Sequence, residues 1–128
     1  MSLLSPLDRW LAPAPRESRV GWLIGARFAH RGLHGDGVPE NSPSAFAAAM
    51  TRGWGIECDV QKSSDDQAMV FHDFDLDRLT SESGPVNVRS GAQLAAITLS
   101  GSADTIPSLR ALLDQVAGSV PLLIEIKS

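Results

Sequence analysis

Residues 55–61, with the sequence GIECDVQ, decide the fold class and carry the first candidate functional side chains. Successive side chains of a strand point to opposite faces, so one face of this segment is apolar while the other carries Glu57 and Asp59, about 7 Å apart. Residues 121–127, PLLIEIK, alternate in the same way, with Glu125 on the charged face. An edge strand facing water could look like this, but parallel sheets are normally covered on both faces. Both segments therefore predict strands that direct charge toward a site.

Apolar strand-like runs alternate with helical patterns along the chain, which is typical of βα units around a parallel sheet. The clearest helix follows Pro107, where apolar residues recur at positions i, i+3, i+4 and i+7. Asn41 or Ser42 can cap an earlier helix whose first turn contains Pro43. The predicted strands are residues 23–30, 55–61, 68–72 and 121–127, and the predicted helices are residues 41–50, 93–97 and 109–116.

The composition is that of an ordinary globular domain, with 43% hydrophobic and 20% charged residues among 128, which argues against a disordered or fibrous chain. A net charge of −4 argues against binding of nucleic acid through phosphate contacts. The single cysteine, Cys58, excludes an internal disulfide and a cysteine-rich zinc site.

No run reaches the roughly 20 apolar residues of a transmembrane helix, and the start of the chain lacks the basic region of a signal peptide. We therefore expect a cytoplasmic protein. Residues 1–20 are predicted to form an extension and residues 21–128 the domain. Within the extension, residues 3–11 could lie on a membrane surface, but packing against the outside of the domain is the preferred interpretation.

Three carboxylates meet at the charged face of the two strands. Glu57, Asp59 and Glu125 lie toward the carboxyl-terminal ends of their strands, which is where βα barrels carry their chemistry. Converging buried carboxylates repel each other and resist ionisation, whereas a hard divalent cation with oxygen ligands stabilises them. On the residues alone, a site for Mg²⁺ or Ca²⁺ and simple surface charge both remain open.

Two of the three histidines end predicted strands. His30 ends the first strand and is followed by Arg31, and His72 ends the third. Such a pair could face each other across one pocket, one accepting a proton and the other donating one. The alternative is that each histidine forms a hydrogen bond within its own loop. His34 lies in a glycine-rich turn and is predicted to be a solvated loop residue.

Six groups of short motifs, in one order along the chain, resemble those of the glycerophosphodiester phosphodiesterase family. Each motif is weak alone, so the strength of the resemblance lies in their order, which extends from about residue 29 to residue 127. They are residues 29–32 (AHRG) with 39–42 (PENS) and 45–46 (AF), residues 56–60 (IECDV), residues 70–73 (VFHD) with 76–80 (LDRLT), residues 84–86 (GPV), residues 106–109 (IPSL), and residues 124–127 (IEIK).

The resemblance implies a TIM (β/α)8 barrel that binds a small-molecule glycerophosphodiester and cleaves it to glycerol 3-phosphate and an alcohol, with Mg²⁺ or Ca²⁺ as cofactor. It implies that Asn41 orients a neighbouring residue and that Glu40 assists the metal site. The roles carried over are general acid and base for His30 and His72, metal ligands for Glu57, Asp59 and Glu125, phosphate binding for Arg31 and Lys127, and support for Glu40 and Asn41.

A complete barrel takes about 250 residues, so this α/β chain is expected to hold about the first four βα units. We expect a truncated form of a longer protein, in which the missing carboxyl-terminal half, or a second copy of the chain, covers the open edge. Two other functions stay open: a related barrel phospholipase of the sphingomyelinase D type, and an inactive half-barrel or interaction module. Relatives of the first kind typically carry disulfides, and the intact candidate catalytic positions speak against the second.

One departure from the family pattern lies in residues 64–67, SDDQ, where the family usually has Asp-Gly. The freedom of glycine at positive φ is lost there, but aspartate tolerates that region better than most residues. The departure concerns the geometry of a turn and not the predicted catalytic residues.

Overall fold

The computed structural model describes residues 13–128, so residues 3–11, which were predicted to pack against the outside of the domain, lie outside the described residues. The elements in chain order are α1 (Glu17–Val20), a 3₁₀ turn (Gly21–Leu23), β1 (Phe28–His30), α2 (Pro43–Thr51), β2 (Gly55–Lys62), β3 (Ala68–Val70), a second 3₁₀ turn (Val86–Val88), α3 (Gly91–Ala95), α4 (Leu109–Val116) and β4 (Leu122–Ile126). Within the described range, none of the helices is long and apolar enough to cross a bilayer.

β2 is the central strand of the sheet. β1 runs parallel to its first half, with Ala29 opposite Ile56. β4 runs parallel to it from the pair Ile56–Leu122 to the pair Val60–Ile126, and it occupies the opposite edge of β2 from β1. Because three parallel strands end on the same side, side chains near their carboxyl ends are brought to one edge of the sheet.

The predicted parallel sheet is confirmed for β1, β2 and β4, but the prediction is wrong for β3, which pairs antiparallel with the end of β2. Residues 63–67 join the two strands, and a parallel crossover needs a dozen or more residues. The third predicted βα unit is therefore a hairpin. Asp66 adopts a φ of 62° in its turn, as an aspartate there can. β3 also ends at Val70 rather than at residue 72, because the Gln61 side chain binds the carbonyls that follow it.

Two other element boundaries differ from prediction for local reasons. β1 begins at Phe28 rather than at residue 23, because Gly21–Leu23 forms a 3₁₀ turn and Gly25 has a φ of 80°. α3 begins two residues earlier than predicted, because Ser90 and Gln93 form a reciprocal capping box. Such a box satisfies two backbone N–H groups at the start of a helix.

The hydrophobic core has two parts. The first lies between the apolar face of β2 and the helices α2 and α4, which confirms the predicted covering of that face. The second lies beneath the long segment that follows β3, so this segment is packed although it contains little regular structure. The first consists of Ala29, Phe46, Ala49, Ile56, Cys58, Val60, Val70, Leu112 and Val116, and the second of Met69, Phe71, Leu76, Val86, Leu94, Ile97, Leu99 and Ile106.

β4 is much less covered than β2. On its apolar face, Ile124 and Ile126 are 38% and 79% exposed, and Leu123 on the charged face is 56% exposed. The apolar face of β4 borders an open groove of about 770 Å³, whose other walls include Phe74 and Leu109. This side of the sheet therefore presents a large unpartnered apolar surface.

Candidate active site

Strand pairing alone brings together the predicted site residues of three strands. In the register of the sheet, His30 lies opposite Glu57 and Asp59 lies opposite Glu125. Lys127 follows directly after β4. The predicted convergence of β1, β2 and β4 at one edge of the sheet is what the structure shows.

Glu57, Asp59 and Glu125 form a compact group of carboxylates, in which one oxygen atom from each residue lies within 4.8 Å of the other two. Asp59 is buried at 1% exposure, whereas the Glu125 side chain is 57% exposed. The group consists of oxygen donors alone, which suits a hard divalent cation such as Mg²⁺ or Ca²⁺. The residues present therefore fit the cofactor that the sequence predicts.

Asp59 is held on three sides by other predicted site residues. Asn41 Nδ2 donates to Asp59 Oδ2 at 3.0 Å, and the Asp59 N–H donates to Asn41 Oδ1 at 3.4 Å. Lys127 Nζ lies 3.6 Å from Oδ1 and Arg31 Nε lies 3.4 Å from Oδ2. Arg31 Nε is buried and forms no hydrogen bond, so its contact with Asp59 is ionic without good alignment. The protein itself thus supplies counter-charges to this buried carboxylate.

An unusual backbone places Asn41 and Arg31 for these contacts. Both adopt a left-handed conformation, with φ of 53° and 56°, which asparagine visits more readily than arginine. The Arg31 N–H then donates to Glu57 Oε2 at 3.0 Å. Ser42, and not Asn41, caps α2 by accepting from the Ala45 N–H, which leaves the Asn41 side chain for Asp59. Backbone strain of about 1 kcal/mol or more per residue is often found at functional sites.

The two strand-end histidines have different surroundings. His72 Nδ1 lies 2.7 Å from Asp73 Oδ1. An ionised carboxylate at that distance favours a proton on Nδ1 and leaves Nε2 for exchange with a substrate. His30 Nε2 lies 3.9 Å from Glu57 Oε2, and its side chain is 69% exposed. His72 therefore does bond within its own loop, as the alternative interpretation required, while His34 is exposed, as predicted.

Lys127 links the two carboxylates that come from neighbouring strands. Its Nζ donates to Glu125 Oε1 at 2.9 Å in addition to its contact with Asp59. The hydrogen bond from Lys127 lowers the pKa of Glu125, and the charges of His72 and Arg31 lower it further. The hydrogen bond to Glu125 raises the pKa of Lys127. Glu125 and Lys127 thus each favour the charged form of the other.

Glu40 binds two arginines beside the group of three carboxylates. Arg31 Nη1 donates to its Oε1 at 3.0 Å, and Arg78 donates to both of its oxygens at 2.8 and 3.1 Å. Burial alone would raise the pKa of Glu40, but the hydrogen bonds and charges of Arg78 and Arg31 outweigh burial and hold the pKa below its ordinary value. The expected assistance of Glu40 to a metal would therefore act through Arg31.

Asp73 and Arg78 were not predicted as site residues, although both stand in the motifs that carry the family resemblance. Arg78 donates to both oxygens of Asp73, at 2.8 and 2.9 Å. These bonds lower the pKa of Asp73 and raise the pKa of Arg78. The His-Asp dipeptide at residues 72–73 was the available sequence signal, since a carboxylate next to a histidine can orient it.

The remaining buried ionisable group near the site is Cys58, on the opposite face of β2 from the carboxylates. Burial, and then the charges of Glu57 and Asp59, raise the pKa of the thiol to about 12. A thiol with such a pKa stays protonated near neutral pH and is a poor nucleophile. Cys58 is therefore a core residue.

The sequence is similar to those of a known family of phosphodiesterases. The sequence model of the glycerophosphoryl diester phosphodiesterase family matches residues 30–128. A glycerophosphodiester phosphodiesterase of Bacillus altitudinis is 37% identical over 107 residues, which cover 78% of this chain and 43% of that protein. The chain therefore spans less than half the length of this relative.

The fold is similar to that of solved structures. The glycerophosphodiester phosphodiesterase of Agrobacterium tumefaciens has a TM-score of 0.73 at 31% identity, covering 80% of this chain and 47% of that one. An Oleispira antarctica phosphodiesterase, solved with the product sn-glycerol-3-phosphate, has a TM-score of 0.72 at 28% identity, covering 80% of this chain and 44% of that one. These likenesses support the predicted barrel architecture over the part that the chain covers. Since the family model matches residues 30–128, the chain belongs to the glycerophosphoryl diester phosphodiesterase family.

Proposed function

We propose that this protein is a metal-dependent phosphodiesterase that hydrolyses glycerophosphodiesters to glycerol 3-phosphate and an alcohol. The observation that carries the proposal is the meeting of three carboxylates, two cationic side chains and a strand-end histidine at one edge of the sheet. The sn-glycerol-3-phosphate in the Oleispira antarctica structure supports the same product class.

Glu57, Asp59 and Glu125 would hold Mg²⁺ or Ca²⁺, and a divalent cation bound there supplies a Lewis acid that lowers the pKa of the attacking hydroxyl of the substrate. Asn41 orients Asp59 for this role through the hydrogen bond at 3.0 Å. The buried position of Asp59 and the exposed position of Glu125 suggest that β2 supplies the fixed ligands and β4 the adaptable one.

Arg31 and Lys127 bind the phosphate oxygens in this proposal. A guanidinium forms two parallel hydrogen bonds to an oxyanion and an ammonium acts as a point charge, so the two side chains complement each other. Lys127 contacts Asp59 and Glu125, and it would exchange these partners for the phosphate once the carboxylates hold a cation. Positive charge from both residues then stabilises the charge that develops on the phosphoryl group.

His30 and His72 divide the proton transfers. One histidine accepts the proton of the glycerol hydroxyl while the oxygen of that hydroxyl attacks phosphorus. The other histidine donates a proton to the oxygen of the leaving alcohol while the bond between that oxygen and phosphorus breaks. The cyclic phosphate that results is opened by water with the two roles reversed, which gives glycerol 3-phosphate. Asp73 holds the His72 ring by a bond of 2.7 Å, so His72 is the better oriented of the two.

The uncovered face of β4 indicates how the barrel is completed. Ile124 and Ile126 on its apolar face are exposed, and the described residues contribute three parallel strands. Two copies would supply only six parallel strands, whereas a TIM barrel has eight. We therefore propose that further chain, equivalent to the carboxyl-terminal half of the relatives, covers this face in the active protein.

The test is hydrolysis of glycerophosphocholine, followed as release of glycerol 3-phosphate, by the 128-residue chain and by any longer form that contains it. Each is stripped with a chelator and assayed before and after addition of Mg²⁺ or Ca²⁺. The proposal expects release from the longer form that depends on the cation. Absence of release from folded, cation-loaded protein would overturn the proposal, and cleavage of a lysophospholipid instead would assign the site to a lipid-cleaving enzyme.

A further inference from the structure

The side chain of Arg78, in the 76–80 motif, reaches the loops around the site. Arg78 has no part in the proposed phosphate binding or proton transfers. Its guanidinium donates four hydrogen bonds to two carboxylates. Nε and Nη2 bind Asp73 at 2.8 and 2.9 Å, while Nη2 and Nη1 bind Glu40 at 2.8 and 3.1 Å. Paired bonds of this kind fix the orientation of both partners as well as their distance.

The two carboxylates each hold a proposed catalytic or binding side chain. Asp73 Oδ1 also contacts His72 Nδ1 at 2.7 Å, and Glu40 Oε1 also accepts from Arg31 Nη1 at 3.0 Å. Arg78 therefore stands between the loop that follows β3 and the loop that follows β1. Its hydrogen bonds go to the partners of the two side chains, Asp73 for His72 and Glu40 for Arg31.

The backbone around His72 is also restrained, so the side chain is the part left to be oriented. Gln61 Nε2 donates to the carbonyl of Phe71 at 2.8 Å and to the carbonyl of Asp73 at 2.7 Å. Phe71 itself is buried in the second core cluster. With the main chain held on both sides, the contact of the His72 ring with the Asp73 carboxylate is the interaction that can orient the ring.

The loop that carries Arg78 is anchored as well. Leu76 is fully buried, and Thr80 Oγ1 donates to the Leu76 carbonyl at 2.9 Å. The Arg78 side chain is 48% exposed, but the Glu40 side chain that it binds is only 9% exposed. An exposed ion pair usually does little, whereas a paired bond to a buried carboxylate from an anchored loop can hold a fixed geometry.

We propose that Arg78 is a positioning residue that fixes the His72 ring through Asp73 and fixes Arg31 through Glu40, so that the two loops present both side chains to the phosphodiester together. The inference deepens the proposed function and rests on it for the catalytic consequence. The geometric consequence, a single tautomer of His72 with its proton on Nδ1, does not depend on activity.

The first test is ¹⁵N NMR of the histidine rings in the 128-residue chain, at a pH at which His72 is neutral. The chain should show the Nδ1–H form of His72. Arg78→Met should move the ring toward a mixture with the Nε2–H form, and Asp73→Asn should move it at least as far. Arg89→Met is the matched control, because Arg89 pairs with Glu82 instead, and it should leave the His72 signal unchanged.

Arg78→Lys keeps the positive charge but cannot form two paired contacts. This variant therefore distinguishes the effect of paired hydrogen bonds from the effect of charge, and it replaces the methionine variant if that variant fails to fold. It is expected to show the same mixture of tautomers. A His72 tautomer that is unaltered in folded Arg78→Lys or Arg78→Met would overturn the proposal, whatever the activity of the protein.

The second test uses a form of the protein that hydrolyses glycerophosphocholine. Loss of a supporting contact of this kind typically costs about 10- to 100-fold, so Arg78→Met should lower kcat by at least about tenfold. Asp73→Asn combined with Arg78→Met should lose less than the product of the two single losses, because the two variants share the route through His72, while the loss of the route through Glu40 to Arg31 remains. Losses that multiply in full would mean that Arg78 does not act through Asp73, and a wild type without activity would reject the proposed function but not the tautomer result.

Discussion

β2 and β4 have the same alternation of apolar and charged residues and lie side by side in register, yet their surroundings differ sharply. On the apolar face, Ile56 of β2 is fully buried, whereas Ile124 of β4, which lies opposite Cys58, is 38% exposed. On the charged face, the side chain of Asp59 is 2% exposed and that of Glu125 is 57% exposed. The sequence pattern predicts which face carries charge, but neighbouring elements decide how firmly each strand is held.

The comparison shows which part of the site is formed before any ligand binds. Asp59 is held by Asn41, Arg31 and Lys127, whereas Glu125 has a hydrogen bond from Lys127. A side chain that is already restrained loses less conformational freedom when it binds a cation than a mobile side chain does. β2 therefore carries the preorganised side of the proposed cation site, and β4 carries the side that is completed on binding.

The largest expected difference is in stability, from matched truncations on the two strands. Ile56→Ala removes a fully buried side chain and should lower the free energy of unfolding by about 3 kcal/mol. Ile124→Ala removes a side chain that is 38% exposed and should cost about 1 kcal/mol, since less apolar surface returns to water. Urea denaturation of both variants measures this. Equal losses would mean that β4 is covered in solution, for example by a second copy of the chain.

The histidines extend the comparison to the strands on the other edge of β2. In a form of the protein that is active, His30→Ala and His72→Ala should each lower turnover at least about 100-fold, because general acid–base catalysis contributes that much. His34→Ala is the matched control on the exposed turn and should stay within about twofold, since no catalytic role is assigned to it. Near-normal turnover in either of the first two variants would remove that histidine from the mechanism.

A smaller effect is expected in acid, from the ionic contacts on the β2 side of the site. The folded-state pKa values of Glu40 and Asp73 lie below their ordinary values of 4.5 and 3.8. Their contribution to stability is therefore complete above those values and is lost as the pH falls through the lower folded-state values. Between about pH 6 and about pH 3, the wild type should lose about 1 kcal/mol more than Arg78→Met, after allowance for solvent screening.

Urea denaturation at the two pH values measures this difference, with Arg89→Met as the control variant that should behave like the wild type. Identical losses in the wild type and in Arg78→Met would show that these contacts contribute nothing to folding. That result would not bear on the tautomer of His72, which reports geometry rather than stability.

Much of the sheet could be predicted because its signals are local. β2 and β4 were predicted within one residue at each end, since alternation every second residue and flanking Gly or Pro mark a strand directly. The direction of β3 was not predicted correctly, although the sequence contains the signal for it: the turn at residues 63–67 is too short for a parallel crossover. The start of β1 was misplaced because residues 23–26 are mostly apolar, and the φ of 80° at Gly25 is invisible to a hydrophobic pattern.

The candidate site divides in the same way. Glu57, Asp59 and Glu125 could be placed together because strand alternation and βα topology determine where their side chains point. The contact of Arg78 with Glu40 could not be predicted, because it joins two loops 38 positions apart and no periodicity relates the two segments. The preference for Ser42 over Asn41 as the cap of α2 was open for a related reason: both residue types cap helices well, and the contact of Asn41 with Asp59 decides between them.

The most direct test of the central claim, that β2 and β4 together form a cation site, is calorimetric titration of Mg²⁺ and Ca²⁺ into the metal-free chain. We predict one saturable site, lost in Asp59→Asn and weakened at least about tenfold in Glu125→Gln. Glu82→Gln, which alters an exposed carboxylate paired with Arg89, should bind as the wild type does. A folded chain without saturable binding, or an Asp59→Asn variant that binds as tightly as the wild type, would contradict the account.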